Sequence, residues 1–172
     1  MPNLKVFLFC GEVLTNATAL KLIERFPEAT VINTFGPTET TVAVTEQYIT
    51  KEIANRQEAL PIGKPNPWTQ IQIWNSEGKT VPANEQGEIV IIGDTVAKGY
   101  YNNSKETSRS FINININGEN LRAYKTGDKG FLDLDGVLHY SGRMDKQINL
   151  NGYRIELGDI EKNLMKLQEV SN

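Results

Sequence analysis

The chain opens on Leu4-Lys5-Val6-Phe7-Leu8-Phe9, a nearly continuous apolar run that stops at Cys10-Gly11. Such a run predicts a strand buried on both faces, as in parallel sheets. Thr15 is placed to cap a helix, and Ala19, Leu22, Ile23 and Phe26 recur on one helical stripe. Pro27 ends that helix, and Thr30-Val31-Ile32 resumes as strand. Strand, helix and strand in tight succession predict a parallel crossover unit. Val42-Ala43-Val44-Thr45-Glu46-Gln47-Tyr48 predicts a further strand.

The pattern changes near Pro61. Four of the seven prolines fall at Pro61, Pro65, Pro67 and Pro82, and helical periodicity largely disappears. Short β-rich runs follow at Ile71–Trp74 and Glu88–Ile92, with strict alternation over Ile112–Ile116. Asn117-Gly118 and Asp135-Gly136 are hairpin-turn signals. Residues 62–142 therefore read as a small antiparallel barrel or sandwich, interrupted by a helix around Ser104–Phe111. From about Asp145 a third piece begins, with a strand at Gln147–Leu150 and a turn at Asn151-Gly152. A helix then follows with Leu157, Ile160, Leu164 and Leu167 on one face, and acids precede Lys162 and Lys166 along it. No internal repeat or low-complexity tract interrupts this order.

Composition excludes some classes. With 39% hydrophobic and 23% charged residues among 172, the chain can bury a core and is not globally disordered. A formal net charge of −3 argues against a nucleic-acid-binding surface. No run of about 18 apolar residues is available to insert in a membrane. The N-terminal Met1-Pro2-Asn3 lacks signal-peptide character, and the single cysteine, Cys10, cannot form an internal disulfide. Both observations fit a cytoplasmic location.

Three clusters could carry chemistry. Asn33-Thr34-Phe35-Gly36-Pro37-Thr38-Glu39-Thr40-Thr41 follows a predicted strand, at the edge where open α/β sheets bind ligands. Hydroxyls and backbone N–H groups there suit phosphate oxygens, and the carboxylate suits Mg²⁺. The same residues also read as a plain loop with a cap at Thr38. Tyr124-Lys125-Thr126-Gly127-Asp128 ends another predicted strand, and its carboxylate could take both hydroxyls of a ribose diol or simply turn the chain. Gly142–Leu157 carries many charges across an inferred boundary, where a solvated linker is the alternative. His139 is the only histidine, which removes a His-based triad or a multi-histidine metal site. Trp68 and Trp74 read as core or edge aromatics.

Together, the order and spacing of these clusters resemble the core motifs of the adenylate-forming superfamily of carrier-protein adenylation domains, acyl-CoA synthetases and luciferases. The likeness continues through Gly87–Gly93, Val96-Ala97-Lys98-Gly99-Tyr100, Thr107 and Phe111, and covers essentially the whole chain. It implies an α/β plus β fold. Residues 1–60 would belong to a large mixed α/β layer, 61–144 to a small antiparallel β-barrel-like subdomain, and 145–172 to the hinge and start of a C-terminal α+β domain.

The implied activity is activation of a carboxylate with ATP and Mg²⁺ to an acyl-adenylate, followed by transfer to the phosphopantetheine thiol of a carrier protein. By position, Phe35 would stack on adenine, and Asn33, Gly11 and Glu12 would line the base pocket together with Thr34 and Gly36. Thr38 would meet phosphate, Glu39 would hold Mg²⁺, Asp128 would bind ribose, and Arg143 would lie by ribose or phosphate. Thr38, Glu39 and Arg143 are thus the implied catalytic set, Asp145 the hinge, and Gly152 part of the loop near the carrier arm.

The stretch Phe9-Cys10-Gly11-Glu12 is similar to that of the D-alanine:D-alanyl carrier protein ligases, which serve teichoic acid D-alanylation. Cys10 would then wall the pocket for D-alanine or another small amino acid; otherwise it is a small buried hydrophobe. The resemblance further implies that a phosphate loop lies upstream and a catalytic lysine downstream, Lys162 and Lys166 coming too early for that role. Residues 1–172 are accordingly expected to be a fragment, marginally stable and inactive alone. Activation of another amino or carboxylic acid, or a non-catalytic nucleotide-binding role, are the competing readings.

Overall fold

A computed structural model describes residues 4–145, 147–150 and 153–167. The first sheet has the order β1 (Val6–Phe9), β2 (Thr30–Phe35), β3 (Thr45–Tyr48), β4 (Lys64–Pro65). β1 and β2 are parallel with Phe9 opposite Asn33, and the later pairs are antiparallel. The crossover helix α1 (Asn16–Arg25) starts where Thr15 predicts it, with the Thr15 hydroxyl accepting from Thr18 N–H at 3.2 Å. Ala19 is fully buried, and Leu22 and Ile23 pack with Leu14, Val31, Ile49, Ala54 and Leu60. Asn16 Nδ2 donates to the carbonyls of Ala54 and Arg56, which ties the helix start to the end of α2 (Lys51–Ala54).

Two expectations fail here. β1 is covered on one face only: Phe7 and Phe9 turn inward, while Val6 and Leu8 are 50% and 60% exposed. α1 packs on the Phe7–Phe9 side of the sheet. The strand expected from Val42 begins only at Thr45. Thr41 and Val42 both take positive φ (65° and 69°), so the chain is still turning after a 3₁₀ turn at Thr38–Thr40. Gly36 permits that fold-back, because a Cβ there would lie 1.5 Å from the Val42 carbonyl oxygen.

The second sheet is antiparallel, as expected, but open and not barrel-closed among the described residues. Its order is β5 (Thr69–Trp74), β6 (Gly87–Gly93), β8 (Glu119–Leu132), β7 (Phe111–Ile116), with β9 (Leu138–Arg143) paired to β8. β6 is central, and Ile89, Val90, Ile91 and Ile92 are all fully buried. Alternation sends Ile89 and Ile91 toward Ile71, Ile73, Phe111, Tyr124 and Leu138. Val90 and Ile92 meet Ala123 and the isoleucines of β7 on the other face. α3 (Ser104–Ser110) fills the expected helical interruption, capped by the Asn103 side chain on Glu106 N–H.

Asn117-Gly118 turns β7 into β8, and the Asp133 carboxylate organises the Asp135-Gly136 turn by accepting from the amides of Asp135 and Val137. His139 lies in β9 as expected, with Nε2 at 3.0 Å from Asp133 Oδ2. Burial of Asp133 opposes its ionisation, but these hydrogen bonds outweigh it and hold its pKa below the usual carboxylate value. Trp68 is exposed, whereas Trp74 is half-buried against the second sheet's outer cluster.

The third piece is a hairpin of β10 (Gln147–Leu150) and β11 (Tyr153–Glu156), then α4 (Leu157–Leu164). β11 was not expected, and the Asn151-Gly152 turn lies outside the described residues. Ile160, Leu164 and Leu167 are exposed, and Lys166 falls beyond the helix. No helix among the described residues is long and apolar enough to cross a membrane.

The two sheets are joined at Gly63. Ile62 N–H donates to the Leu138 carbonyl at 2.9 Å, and Leu138 N–H donates to the Gly63 carbonyl at 2.8 Å. Gly63 has φ +97°, and a Cβ would sit 2.0 Å from the Glu46 carbonyl oxygen of β3. Gly63→Ala is therefore expected to lose roughly 3 kcal/mol of stability, read as a lower urea midpoint. Asp133→Asn is expected to lose about 1 kcal/mol near neutral pH. Because the folded-state pKa of Asp133 is depressed, its contribution is full above the unfolded carboxylate value of about 3.9 and fades as pH falls through the folded value. Urea titrations of both proteins at neutral and acid pH should converge at the acid end.

Candidate functional site

The parallel register of β1 and β2 explains the first half of the site. With Phe9 opposite Asn33, Cys10–Glu12 and Phe35–Glu39 leave the sheet at the same carboxyl edge. Thr34 Oγ1 donates to the Phe9 carbonyl at 2.8 Å, which clasps the two strand ends. Asn33 is buried, and its Nδ2 donates to the Pro61 carbonyl at 2.9 Å. Cys10 is part-buried, with Sγ 4.0 Å from the Gly36 carbonyl oxygen, while Gly11 (φ +89°) and Glu12 are exposed at the rim. The Phe35 ring, half-buried, packs toward the second sheet with its centroid 6.4 Å from that of Tyr140 in β9.

The 3₁₀ turn separates the next residues by exposure. Thr38 faces out, whereas Glu39 is 7% exposed and Thr40 is fully buried. Thr40 Oγ1 donates to the Pro37 carbonyl at 3.1 Å. Glu39 Oε1 accepts a 2.6 Å hydrogen bond from the Tyr100 hydroxyl, itself 3.3 Å from the Tyr124 hydroxyl. Both phenol rings pack on Phe111, with centroids 5.3 Å and 4.9 Å away. Burial, then the hydrogen bonds to Glu39 and Tyr124, push the Tyr100 pKa upward, so this phenol remains a donor. Neither tyrosine was expected in a functional role. Tyr100 stood in the sequence only as the end of Val96–Tyr100.

The second half of the site is a bulge in β8, not a turn between strands. Gly127 adopts φ +70°, and the pairing of β8 with β6 shifts register just there, between Glu88 and Val90. Gly127 N–H donates to Glu88 Oε1 at 3.0 Å. Thr126 Oγ1 donates to the Ile89 carbonyl at 2.7 Å and accepts from Asp128 N–H at 2.9 Å.

β9 sets Arg143 opposite Asp128. Arg143 Nη1 donates to Asp128 Oδ1 at 3.0 Å and to the Thr126 carbonyl at 2.8 Å. Its Nε and Nη2 donate to the two oxygens of Asp145, at 2.9 and 2.5 Å. Burial works against the Arg143 charge, but the two carboxylates outweigh it and push the pKa up, so the cation is permanent. A Cβ on Gly127 would lie 2.8 Å from Arg143 Nη2, so glycine is what lets the guanidinium reach across the bulge.

Tyr140 connects the halves. It faces Phe35, and its pKa is raised first by burial and then by the Asp128 charge. Phe35 from the first sheet and the Asp128–Arg143–Asp145 group from the second thus flank one tyrosine. Among the described residues no group of three or more His, Cys, Asp or Glu is arranged to hold a metal. A lone carboxylate such as Glu39 fits Mg²⁺ when phosphate and water complete the coordination, since that ion commonly takes only one or two carboxylates from protein. Gly152 lies outside the described residues, and the carrier-arm expectation rests with it.

The arrangement offers an apolar ring, a buried carboxylate for a cation, a hydroxyl-rich turn and a charge-paired carboxylate suited to a diol. The model of the AMP-binding enzyme family matches residues 1–101. The D-alanine–D-alanyl carrier protein ligase of Bacillus cereus (strain AH187) is 50% identical over 164 residues, 95% of this chain and 32% of that protein. The ligase of the same name from Lacticaseibacillus casei (strain BL23) is 47% identical over 169 residues, 98% of this chain and 33% of that protein.

Among solved structures, an NRPS protein containing adenylation and PCP domains superposes with TM-score 0.88 at 32% identity, over 95% of this chain and 33% of that one. The Vibrio cholerae adenylation domain AlmE, in complex with glycyl-adenosine-5'-phosphate, superposes with TM-score 0.84 at 29% identity, over 99% of this chain and 32% of that one. The chain spans about a third of the length of the curated relatives it matches. The matched family model takes in the Asn33–Glu39 edge and Tyr100, and the chain belongs to the AMP-binding enzyme family.

Proposed function

We propose that this chain supplies the nucleotide-holding part of an ATP-dependent, AMP-forming ligase. The whole ligase would activate D-alanine and pass it to the phosphopantetheine thiol of a D-alanyl carrier protein, for teichoic acid D-alanylation in the cytoplasm. The observation that carries this reading is the meeting of Phe35 with Asp128 and Arg143 around Tyr140, which sets a base-stacking ring beside a diol-binding carboxylate. The names of the relatives from Bacillus cereus and Lacticaseibacillus casei support the substrate and the carrier.

On this reading Phe35 stacks on adenine, with Asn33, Thr34, Gly36, Gly11 and Glu12 shaping the base pocket. Asp128 accepts from both ribose hydroxyls, because an ionised carboxylate offers several lone-pair directions at once. Arg143 pairs with Asp128 and brings a cation toward ribose and phosphate. Thr38, exposed on the 3₁₀ turn, donates to phosphate oxygens, and Glu39 holds Mg²⁺. When bound, Mg²⁺ offsets phosphate charge. Asp145 serves as the hinge, just ahead of the β10–β11 hairpin. A hinge needs only one or a few residues to absorb a large dihedral change. Cys10 walls the amino-acid pocket as a shape element.

Glycine is the second reading for the substrate, favoured by the glycyl adenylate in the AlmE structure. Exchange of labelled pyrophosphate into ATP, assayed with the complete gene product, should be stimulated most by D-alanine; equal stimulation by glycine would transfer the assignment. For the site itself, Asp128→Asn is expected to weaken AMP about tenfold in calorimetry, the size of one charge-assisted hydrogen bond. The same substitution should leave 2',3'-dideoxy-AMP unaffected, and an equal loss for both nucleotides would remove Asp128 from the ribose.

A further inference from the structure

Glu39 is gripped by a loop from the other sheet, in a way that its ligand-binding role alone does not require. Accepting the reading that Glu39 serves the cation and phosphates, we propose that Tyr100 is a positioning residue that sets the orientation of the Glu39 carboxylate. The Tyr100 hydroxyl donates to Glu39 Oε1 at 2.6 Å across 61 positions of sequence. An ionised carboxylate is acceptor-only, so the direction of this bond is unambiguous. Charge-assisted O–H···O⁻ bonds of this length are strong and directional, and one fixed oxygen restricts the plane of the whole carboxylate.

Tyr100 is itself over-determined. Its N–H donates to Thr107 Oγ1 at 2.9 Å, and that hydroxyl donates onward to the Asn103 carbonyl at 2.8 Å. Its ring meets the Phe111 edge at 5.3 Å. The preceding loop is bound by Arg122, whose Nε and Nη2 donate to the carbonyls of Ala97 and Lys98 at 2.7 and 2.5 Å. The same guanidinium lies 5.3 Å over the Phe111 ring.

The loop then reaches Glu39 twice: through the Tyr100 hydroxyl, and through Ala97 N–H, which donates to the Glu39 carbonyl at 2.8 Å. Gly99 allows the approach, since a Cβ there would stand 2.4 Å from Thr107 Cγ2 and its φ is +138°. Backbone and side chain of Glu39 are therefore referenced to the same short segment. A carboxylate so held meets its cation in one geometry, which is what hydrogen-bonded partners of metal-binding carboxylates provide.

The test uses Tyr100→Phe, which keeps the ring and its contact with Phe111, alongside Glu39→Gln and the double variant. Mn²⁺ is the probe, its binding in the presence of ATP read by electron paramagnetic resonance, with the Glu39 side chain observed in crystals of each protein. Tyr100→Phe should lower Mn²⁺ affinity about tenfold, with unchanged ATP affinity in the absence of metal and a melting transition that stays cooperative, though shifted down. Glu39→Gln should lower it at least as far, and the double variant no further than Glu39→Gln alone. In crystals of Tyr100→Phe, Glu39 should take up a second orientation. Mn²⁺ affinity retained by Tyr100→Phe but lost by Glu39→Gln would overturn the proposal. If Glu39→Gln leaves Mn²⁺ binding intact, the cation reading of Glu39 fails instead. The crystals then decide on Tyr100: a second Glu39 orientation supports its positioning role, and a single retained one overturns it.

Discussion

The site depends on the close backbone contact at Gly63, where the two sheets are held against each other. On one side Gly63 touches the Glu46 carbonyl of β3 so closely that no Cβ would fit. On the other, its carbonyl accepts from the N–H of Leu138, a fully buried residue at the start of β9, while the preceding Ile62 N–H donates to the Leu138 carbonyl. Thr45 reinforces the joint by donating its hydroxyl to the Ile62 carbonyl. β3 is paired with β2, which carries Asn33–Phe35, and β9 carries Tyr140 and Arg143. Fixing β3 against β9 thereby fixes Phe35 against Tyr140. A shift of even an ångström at such a joint is felt at the site, because packed interiors transmit displacement instead of absorbing it.

The charges of the site follow from the same economy of movement. Asp128 is nearly buried, and an uncompensated carboxylate there would be strongly disfavoured. Arg143 compensates it and also forks onto Asp145, which is about half exposed. One guanidinium thus serves a buried carboxylate that needs it and an exposed one that can exchange it for water. The two pairs are unequal in consequence: removing a partner from Asp128 strands a charge in a low dielectric, whereas Asp145 is rehydrated at little loss. Arg143 therefore compensates Asp128 within β8 while forking onto both oxygens of Asp145 on its more exposed side.

Much of this was legible in the sequence, and the parts that were not share a cause. The Thr15 cap, the Asn117-Gly118 and Asp135-Gly136 turns and the alternation in Ile112–Ile116 are local signals with local causes, and the structure places each as expected. The apolar run at Val6–Phe9 suggested burial on both faces, but a run of side chains says nothing of whether a layer exists to cover them. Val42 takes positive φ against the preference of a β-branched residue, held there by its close approach to Gly36. β11 escaped notice because four residues abutting a helix start are too few to show a period.

The named site residues were reached through the order of motifs; chemistry alone left each cluster open to a bland reading. Tyr100 and Tyr124 stood inside the quoted motifs without a role, since Tyr100 takes its meaning from the hydrogen bond to Glu39 and Tyr124 from its contact with Tyr100.

That dependence explains the architecture of the residues around the carboxylates. Asp128 is set by a bulge whose hydrogen bonds run through Thr126 to β6, the most buried strand of the second sheet. Glu39 is set by a loop tied through Arg122 to β8 in the same sheet. Neither carboxylate relies on a free-standing loop for its position, although both lie at strand edges or turns where ligands have access. Their orientation is determined when the chain folds, so little ordering would remain when a charged ligand arrives. A site of opposed charges benefits particularly from this, because carboxylates free to rotate would turn toward water or toward the nearest cation. The packing of one rigid sheet on another is therefore part of the site's chemistry, and the aromatic residues between them are its fixed reference points.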